Sequence, residues 1–224
     1  MRRLSGFTVV CGLQAEARLL RGLGVEIEVT AGDAARGRDS AERAASEGAD
    51  GLLSFGICGG LAPGFASGSL LLPRAVKSES GEIFPAAEDL HANFANALRQ
   101  AGLSFSEGAL LGLDRMAMTR ADKEALFYQS RADAVDTESI FVAAAAKAAG
   151  IPFVVLRAIS DPAETALPPA AAVGLDEAGN PAILPVLLSL LKNPLQLPGL
   201  IRAARDANRA LKALGEAAAA LTRK

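Results

Sequence analysis

Three short stretches of this 224-residue chain could work on a ligand, two of them through acidic side chains and one through glycine backbone. In Leu156-Arg157-Ala158-Ile159-Ser160-Asp161-Pro162 an apolar run ends on a carboxylate. Open α/β sheets bind ligands beyond the carboxyl ends of their strands, and Pro162 holds Asp161 extended rather than helical. Asp161 is then either a ligand-facing acid or the cap of the next segment. In Ser54-Phe55-Gly56-Ile57-Cys58-Gly59-Gly60-Leu61 three glycines allow close backbone approach and expose amide donors, or else only reverse the chain. In Val135-Asp136-Thr137-Glu138-Ser139 a strand end feeds a helix. Asp136 or Thr137 can cap that helix, and its dipole favours Glu138 with or without a ligand. Glu16, near the start of the first helix, carries the same two readings. Carboxyl groups can give protons, take them, or accept hydrogen bonds from hydroxyls.

The elements that must position these groups alternate between short apolar runs and helical patterns, which predicts an α/β fold. Strands are expected at 7–11, 25–30, 51–55, 70–76, 109–113, 134–136 and 153–159. Helices are expected from 13 to about 23, then at 41–47, 87–100, 121–130 and 139–149, with a glycine-rich turn after residue 55. Prolines break the last fifty residues, which read as mostly helix, with an amphipathic segment over about 182–224.

Half of the residues are apolar and the formal charge is -2, so one domain over 1–224 with a real core is expected. Nucleic-acid binding is excluded by the charge and by the 4% aromatic content. His91 is the one histidine, so no histidine-cluster metal site can be built; it reads as an exposed helical residue. Cys11 and Cys58 fit a reducing cytoplasm rather than a disulfide framework, and Cys58 reads as a small buried residue. The first residues lack the apolar stretch of a signal peptide, and 183–191 is too short to span a bilayer. A cytoplasmic protein is expected.

Taken in order, Asp136-Thr137-Glu138-Ser139, the 152–161 run, Gly59-Gly60-Leu61-Ala62-Pro63 and Gly12-Leu13-Gln14-Ala15-Glu16 resemble the nucleoside phosphorylase and methylthioadenosine/S-adenosylhomocysteine nucleosidase superfamily. The likeness reaches to about residue 165. Leu167-Pro168-Pro169-Ala170-Ala171 and Pro194-Leu195-Gln196-Leu197-Pro198 look like its hopanoid-biosynthesis-associated branch. The resemblance implies a three-layer αβα fold with a central mixed sheet, and cleavage of an adenosylhopane-like nucleoside with release of adenine. It implies no metal or organic cofactor, phosphate as an optional co-substrate, and a homo-oligomer.

By the same resemblance Asp161 protonates adenine N7, with Ser160 and Arg157 orienting it or tuning its protonation. Glu138 accepts from the ribose hydroxyls, and Glu16 activates water. Gly59, Gly60, Ile57, Cys58 and Thr137 line the ligand. Met116 falls near the position of an aromatic over the base, although a methionine there is more often core than a purine stack. Ile57 replaces a hydroxyl that contacts phosphate or water in relatives, and Thr137 replaces a methionine that packs on ribose. Arg18, Arg36, Arg38, Arg43 and Arg115 are the candidates for a phosphate clamp.

From Gly199 onward six basic residues stand against two acidic ones, while the rest of the chain has seventeen against twenty-three. Leu200, Ala204, Ala207, Leu211 and Leu214 recur at helical spacing, with Arg202, Arg205, Arg209 and Lys212 roughly opposite. That helix packs its apolar stripe on its own domain or docks its basic face on anionic lipid at the inner membrane. Residues 183–191 are expected to help cradle an apolar group.

Overall fold

The computed structural model describes residue 4 and residues 6–172, 175–176, 178–180 and 182–222. Its elements run β1 (Phe7–Cys11), α1 (Gln14–Leu19), β2 (Glu26–Val29), α2 (Ala34–Ser46), β3 (Gly51–Gly60), β4 (Leu70–Leu71), β5 (Ala75–Ser78) and β6 (Ile83–Pro85). There follow α3 (Glu88–Gln100), β7 (Phe105–Ser106), β8 (Ala109–Gly112), α4 (Arg120–Ser130), β9 (Ala134–Asp136), α5 (Ser139–Ala149) and β10 (Phe153–Asp161). The last elements are α6 (Pro169–Ala172), α7 (Ile183–Lys192), a 3-10 turn at Pro194–Gln196, and α8 (Leu197–Thr222).

The strands form one mixed sheet in the order β6-β5-β8-β9-β3-β10-β4-β7, with β1 beside β3 and β2 beyond β1. Strand alternation sorts the core onto its two faces. Val154, Leu156 and Ala158 of β10 join the cluster under α3 and α8, while Phe153, Val155 and Ile159 join the one under α2 and α5. The three-layer αβα fold with a central mixed sheet is the architecture expected above. Arg157 interrupts the apolar alternation, wholly buried.

Several boundaries differ from the expectation. α2 starts at Ala34 because Asp33 caps it, accepting from the Arg36 amide at 2.9 Å. The charged stretch around Gly37 hides that start from an apolar pattern, and Gly37 is buried in contact range of Phe141. The supposed glycine turn is strand: β3 continues to Gly60, paired with β10 from Leu52 to Gly59 and with β9 at Gly59 and Gly60. The strand expected at 70–76 is two, β4 and β5, separated at Pro73-Arg74. β6 and β7 have three and two residues, too few for a periodic signal. His91 is buried, not exposed; it lies on the core side of α3 with Phe94 and Leu98, its Nε2 2.9 Å from the Leu72 carbonyl oxygen.

The last helix packs on the sheet with a seam different from the one expected. Ala210, Leu214, Ala217, Ala218 and Leu221 are buried, whereas Ala204 is exposed. Arg202, Arg205, Arg209 and Lys212 face outward. No helix among the described residues is long and apolar enough to cross a membrane.

Candidate active site

The site lies where the sheet forks. The first half of β3 runs beside β1, with Phe7 to Val10 opposite Gly51 to Ser54. Its last residues pair instead with β9, Gly59 opposite Val135 and Gly60 opposite Ala134. Between the diverging ends of β1 and β9 opens a cavity of about 540 Å³, the size of a small-molecule site. A switch point of this kind is where open α/β sheets bind ligands.

Each carboxylate is held by the element that ends there. Glu16 projects from the first turn of α1, which starts one residue after the β1 strand and its Gly12-Leu13 corner. Its Oε1 accepts from the Ile57 amide at 2.7 Å and its Oε2 from the Leu13 amide at 2.8 Å. Ile57 thus contributes a backbone N–H, and the apolar side chain does not remove that donor. Glu138 stands at the β9–α5 junction. Its Oε1 accepts from Thr137 Oγ1 at 2.7 Å and its Oε2 from Arg157 Nη2 at 3.2 Å. Asp136, not Thr137, serves the start of α5: it accepts from the Ser139 amide at 3.3 Å and from Ser139 Oγ at 2.5 Å.

Arg157 anchors this group from behind, ion-paired to both Asp136 and Glu138 and donating to Ser54 Oγ at 2.7 Å. It does not touch Asp161, the partner expected for it. Gly56 makes the cluster possible, since a Cβ there would stand 2.4 Å from Arg157 Nη1 and 2.6 Å from Glu16 Oε1. Three carboxylates share one guanidinium in a buried space, leaving a surplus of negative charge. Burial therefore pushes Glu16 up to about 7, with Arg157 opposing and Glu138 adding to the shift. Burial likewise raises Asp136 against the pull of Arg157.

Asp161 depends on a bulge. The register between β10 and β3 shifts between Ile159 and Asp161, so two residues of β10 oppose one step of β3. The broken alternation brings Ser160 and Asp161 together, with Ser160 Oγ donating to Asp161 Oδ1 at 2.5 Å. Gly59 leaves room for Oδ2, which a Cβ there would meet at 3.0 Å. The ion-pair partner of Asp161 is Lys123 of α4, at 2.6 Å, a residue the sequence reading passes over. No local spacing links two residues 38 positions apart. Burial pushes the Asp161 carboxyl up, and Lys123 pulls it down less strongly.

Glu16, Ile57, Cys58, Gly59, Met116, Thr137, Glu138, Ser160 and Asp161 all line the cavity, together with Asp136 and Arg115. Gly60 does not; it packs against the Pro162-Ala163 backbone. Cys58 is buried as expected, and Met116 is half-exposed at the rim rather than core. The outer wall is mostly apolar: Leu167, Ala171 and Leu175, then Leu200, Ala203, Ala204 and Ala207 of α8, with Thr165 and Asp206 as its polar members. No described side chain of α7 reaches the cavity; those of residues 183–185 lie outside the described residues. Of the five candidate clamp arginines only Arg115 lines it, and Arg115 is paired with Glu79 at 2.9 Å. No group of three or more potential metal ligands is assembled among the described residues.

Residues 15–178 match the family model of the phosphorylase superfamily, well over half of the chain. The chain belongs to the phosphorylase superfamily. No curated protein sequence matches it. Among solved structures, a 5′-methylthioadenosine/S-adenosylhomocysteine nucleosidase from Neisseria meningitidis, in complex with methylthio-immucillin-A, aligns with a TM-score of 0.73 at 15% identity. That alignment covers 96% of this chain and 97% of the other. The Helicobacter pylori nucleosidase of the same name aligns at 0.68 and 16% identity, over 93% and 95%. The futalosine hydrolase of Helicobacter pylori aligns at 0.64 and 18%, over 69% of this chain and 87% of that one. At these identities the likeness is one of fold.

Proposed function

We propose that this chain hydrolyses the N-glycosidic bond of an adenine nucleoside carrying a large apolar 5′ substituent, adenosylhopane-like, and releases adenine in hopanoid biosynthesis. The observation that carries this reading is one cavity in which Glu16, Glu138 and Asp161 face a wall of leucines and alanines. Asp161 protonates the purine as the bond breaks, oriented by Ser160, which relieves the negative charge on the leaving group. Glu138 accepts from the ribose hydroxyls, and the surplus negative charge around Arg157 stabilises the cationic sugar. Glu16, near 7, is poised to take a proton from the attacking water. Arg157 touches no ligand; it positions Glu138 and Asp136.

Water is favoured over phosphate because a single clamp arginine lines the cavity and it is already paired. Gln196 lies in the second stretch that carries the hopanoid-branch likeness. Its Oε1 accepts from the Ala170 amide of the first stretch at 3.1 Å, so the two stretches meet beside the apolar wall. The second reading is a general methylthioadenosine/S-adenosylhomocysteine nucleosidase, favoured by the likeness in fold to the Neisseria enzyme. A binding module without turnover is the third.

Adenine release from a series of 5′-alkyladenosines, with and without phosphate, separates these readings. Hydrolysis improving with chain length is expected. A best substrate with a 5′-methylthio group returns the second reading, no release returns the third, and ribose-1-phosphate made only with phosphate makes the enzyme a phosphorylase.

A homo-oligomer and a peripheral membrane contact belong to the same reading. Leu187, Leu188, Leu191, Leu195, Leu197 and Ile201 are exposed in a short run of chain beside Arg202 and Arg205. Binding to anionic vesicles that weakens in Arg202→Glu/Arg205→Glu is expected, and sedimentation reads the assembly.

A further inference from the structure

One charged side chain in contact with Asp161 has no part in the chemistry above. Lys123 is completely buried, and an ammonium taken from water without partners sheds its proton or costs several kcal/mol. It also lies near the start of α4, where the helix dipole disfavours a cation. Oxygen atoms replace the lost water. Nζ donates to Asp161 Oδ2 at 2.6 Å, to the Asp161 and Pro162 carbonyls at 3.0 Å each, and to the Thr165 carbonyl at 2.9 Å. Four acceptors converge on three protons, a compact arrangement that fits an ammonium and not the planar fork of arginine. The shortest of the four contacts is to the carboxylate. Ser160 occupies the other oxygen, so Asp161 has a hydroxyl on one side and a cation on the other.

We propose that Lys123 is the positioning residue that sets the acid strength of Asp161, by holding the carboxylate that remains once Asp161 has given up its proton. The inference rests on the reading of Asp161 as the acid. In the step, the Asp161 O–H bond breaks and an N–H bond forms at N7, while the glycosidic electron pair moves onto the purine. The new carboxylate faces the Lys123 ammonium, which keeps its three protons. Other groups face Asp161 as well: Ser160 on its own strand, the buried Cys58 thiol from β3, and Asp206 from α8. Asp206 is itself held by Arg209 at 2.5 Å and by Ser67 Oγ at 2.9 Å. Burial and Asp206 both favour the protonated Asp161. Lys123 is the cation that opposes them by direct contact. Without it, Asp161 holds its proton to higher pH and surrenders it less readily.

The test uses Lys123→Gln, which keeps donors for the carbonyls and removes the charge, and Lys123→Ala with added ethylammonium. For Lys123→Gln we expect kcat to fall about tenfold or more, within the ~10²–10⁴-fold reach of general acid catalysis, with KM little changed. The basic limb of the kcat profile, where rate is lost as Asp161 ionises, should move to higher pH. Ethylammonium should restore rate to Lys123→Ala in a saturable way and bring that limb back. In an Asp161→Asn background, Lys123→Gln should cost almost nothing further. An unchanged basic limb in the folded variants, no rescue, or an equal loss in the Asp161→Asn background overturns the proposal. If Asp161→Asn itself leaves adenine release intact, the proposed function fails; if it is slow and Lys123→Gln is normal, only the role of the lysine fails.

Discussion

The floor and the outer wall of the cavity are built on different terms. The floor is built on the sheet: Glu16 and Glu138 follow the ends of β1 and β9, Asp161 is the last residue of β10, and their carboxylate oxygens accept hydrogen bonds that fix their direction. The outer wall is helix and connection, contributed by residues after Asp161; along α8 it presents Leu200, Ala203, Ala204 and Ala207, with Asp206 the acidic residue among them. Chemistry demands fixed geometry, which a buried sheet supplies, whereas an apolar group demands only shape and the exclusion of water. Changes to the floor should therefore act on rate with every substrate. Changes to the wall should act on which substrate is chosen.

The largest effect is expected at Asp161. Asp161→Asn keeps size and removes the transferable proton, so kcat should fall by ~10²–10⁴ for long and short 5′ groups alike. Single-turnover adenine release, with the melting temperature as a control for folding, measures it. A loss confined to long substrates would break the contrast between floor and wall.

How much of this was legible in the sequence divides along the same line. Strand ends announce themselves by apolar runs that stop at a carboxylate, so Asp161 and Glu138 can be picked out, and Glu16 follows from the resemblance. The pairing inside the floor cannot be read that way. Arg157 and Asp161 are four apart, an even spacing that in a regular strand puts them on one face; the bulge at Ser160 breaks that alternation, and Arg157 serves Asp136 and Glu138 instead. The sequence reading passes over Lys123 because the contact that makes it matter is long-range. The wall was half legible. Helical spacing finds Leu200, Ala204 and Ala207, but whether they meet the core or a ligand depends on where α8 crosses the sheet, and the buried seam is set by Ala210, Leu214 and Ala217 further along.

A second measurement sharpens the contrast through stability. Glu16 titrates near 4.5 in an unfolded chain and is pushed up to about 7 when folded. A raised folded value means that this group costs nothing below about 4.5 and its full penalty above about 7, a difference of about 3 kcal/mol. Stability should therefore decline across that window, and Glu16→Gln should lose the share of the decline that Glu16 contributes. Urea unfolding of both proteins at pH 4.5 and pH 8 should show the parent losing about 3 kcal/mol relative to the variant as pH rises. Hydrolysis by the parent should rise through the same window, because the base must be ionised to accept a proton from water. A wall substitution such as Ala204→Leu leaves Glu16 in place and should keep both trends of the parent. Parallel stability profiles for the parent and Glu16→Gln would mean that Glu16 is not strained by its burial and is no poised base.

The smallest effect is expected at the wall, and it is the one that tests substrate choice. Ala204 and Ala207 are small residues on the first half of α8, and enlarging either removes volume from the cavity without touching a carboxylate. One or two methylene-sized changes in an apolar pocket are worth ~1–3 kcal/mol in discrimination. Ala204→Leu and Ala207→Leu should accordingly lower kcat/KM about tenfold for nucleosides with long 5′ chains and leave short ones within about twofold. Ala204 is exposed, so Ala204→Leu adds no overpacking to the core, and unfolding should be nearly unchanged. Ala207 is half-buried and gives the steric reading closer to the sheet. An equal loss for long and short substrates would place the wall against the reacting sugar rather than the 5′ group. No loss for either would mean that the apolar group leaves the cavity by another side, past Met116 at the rim.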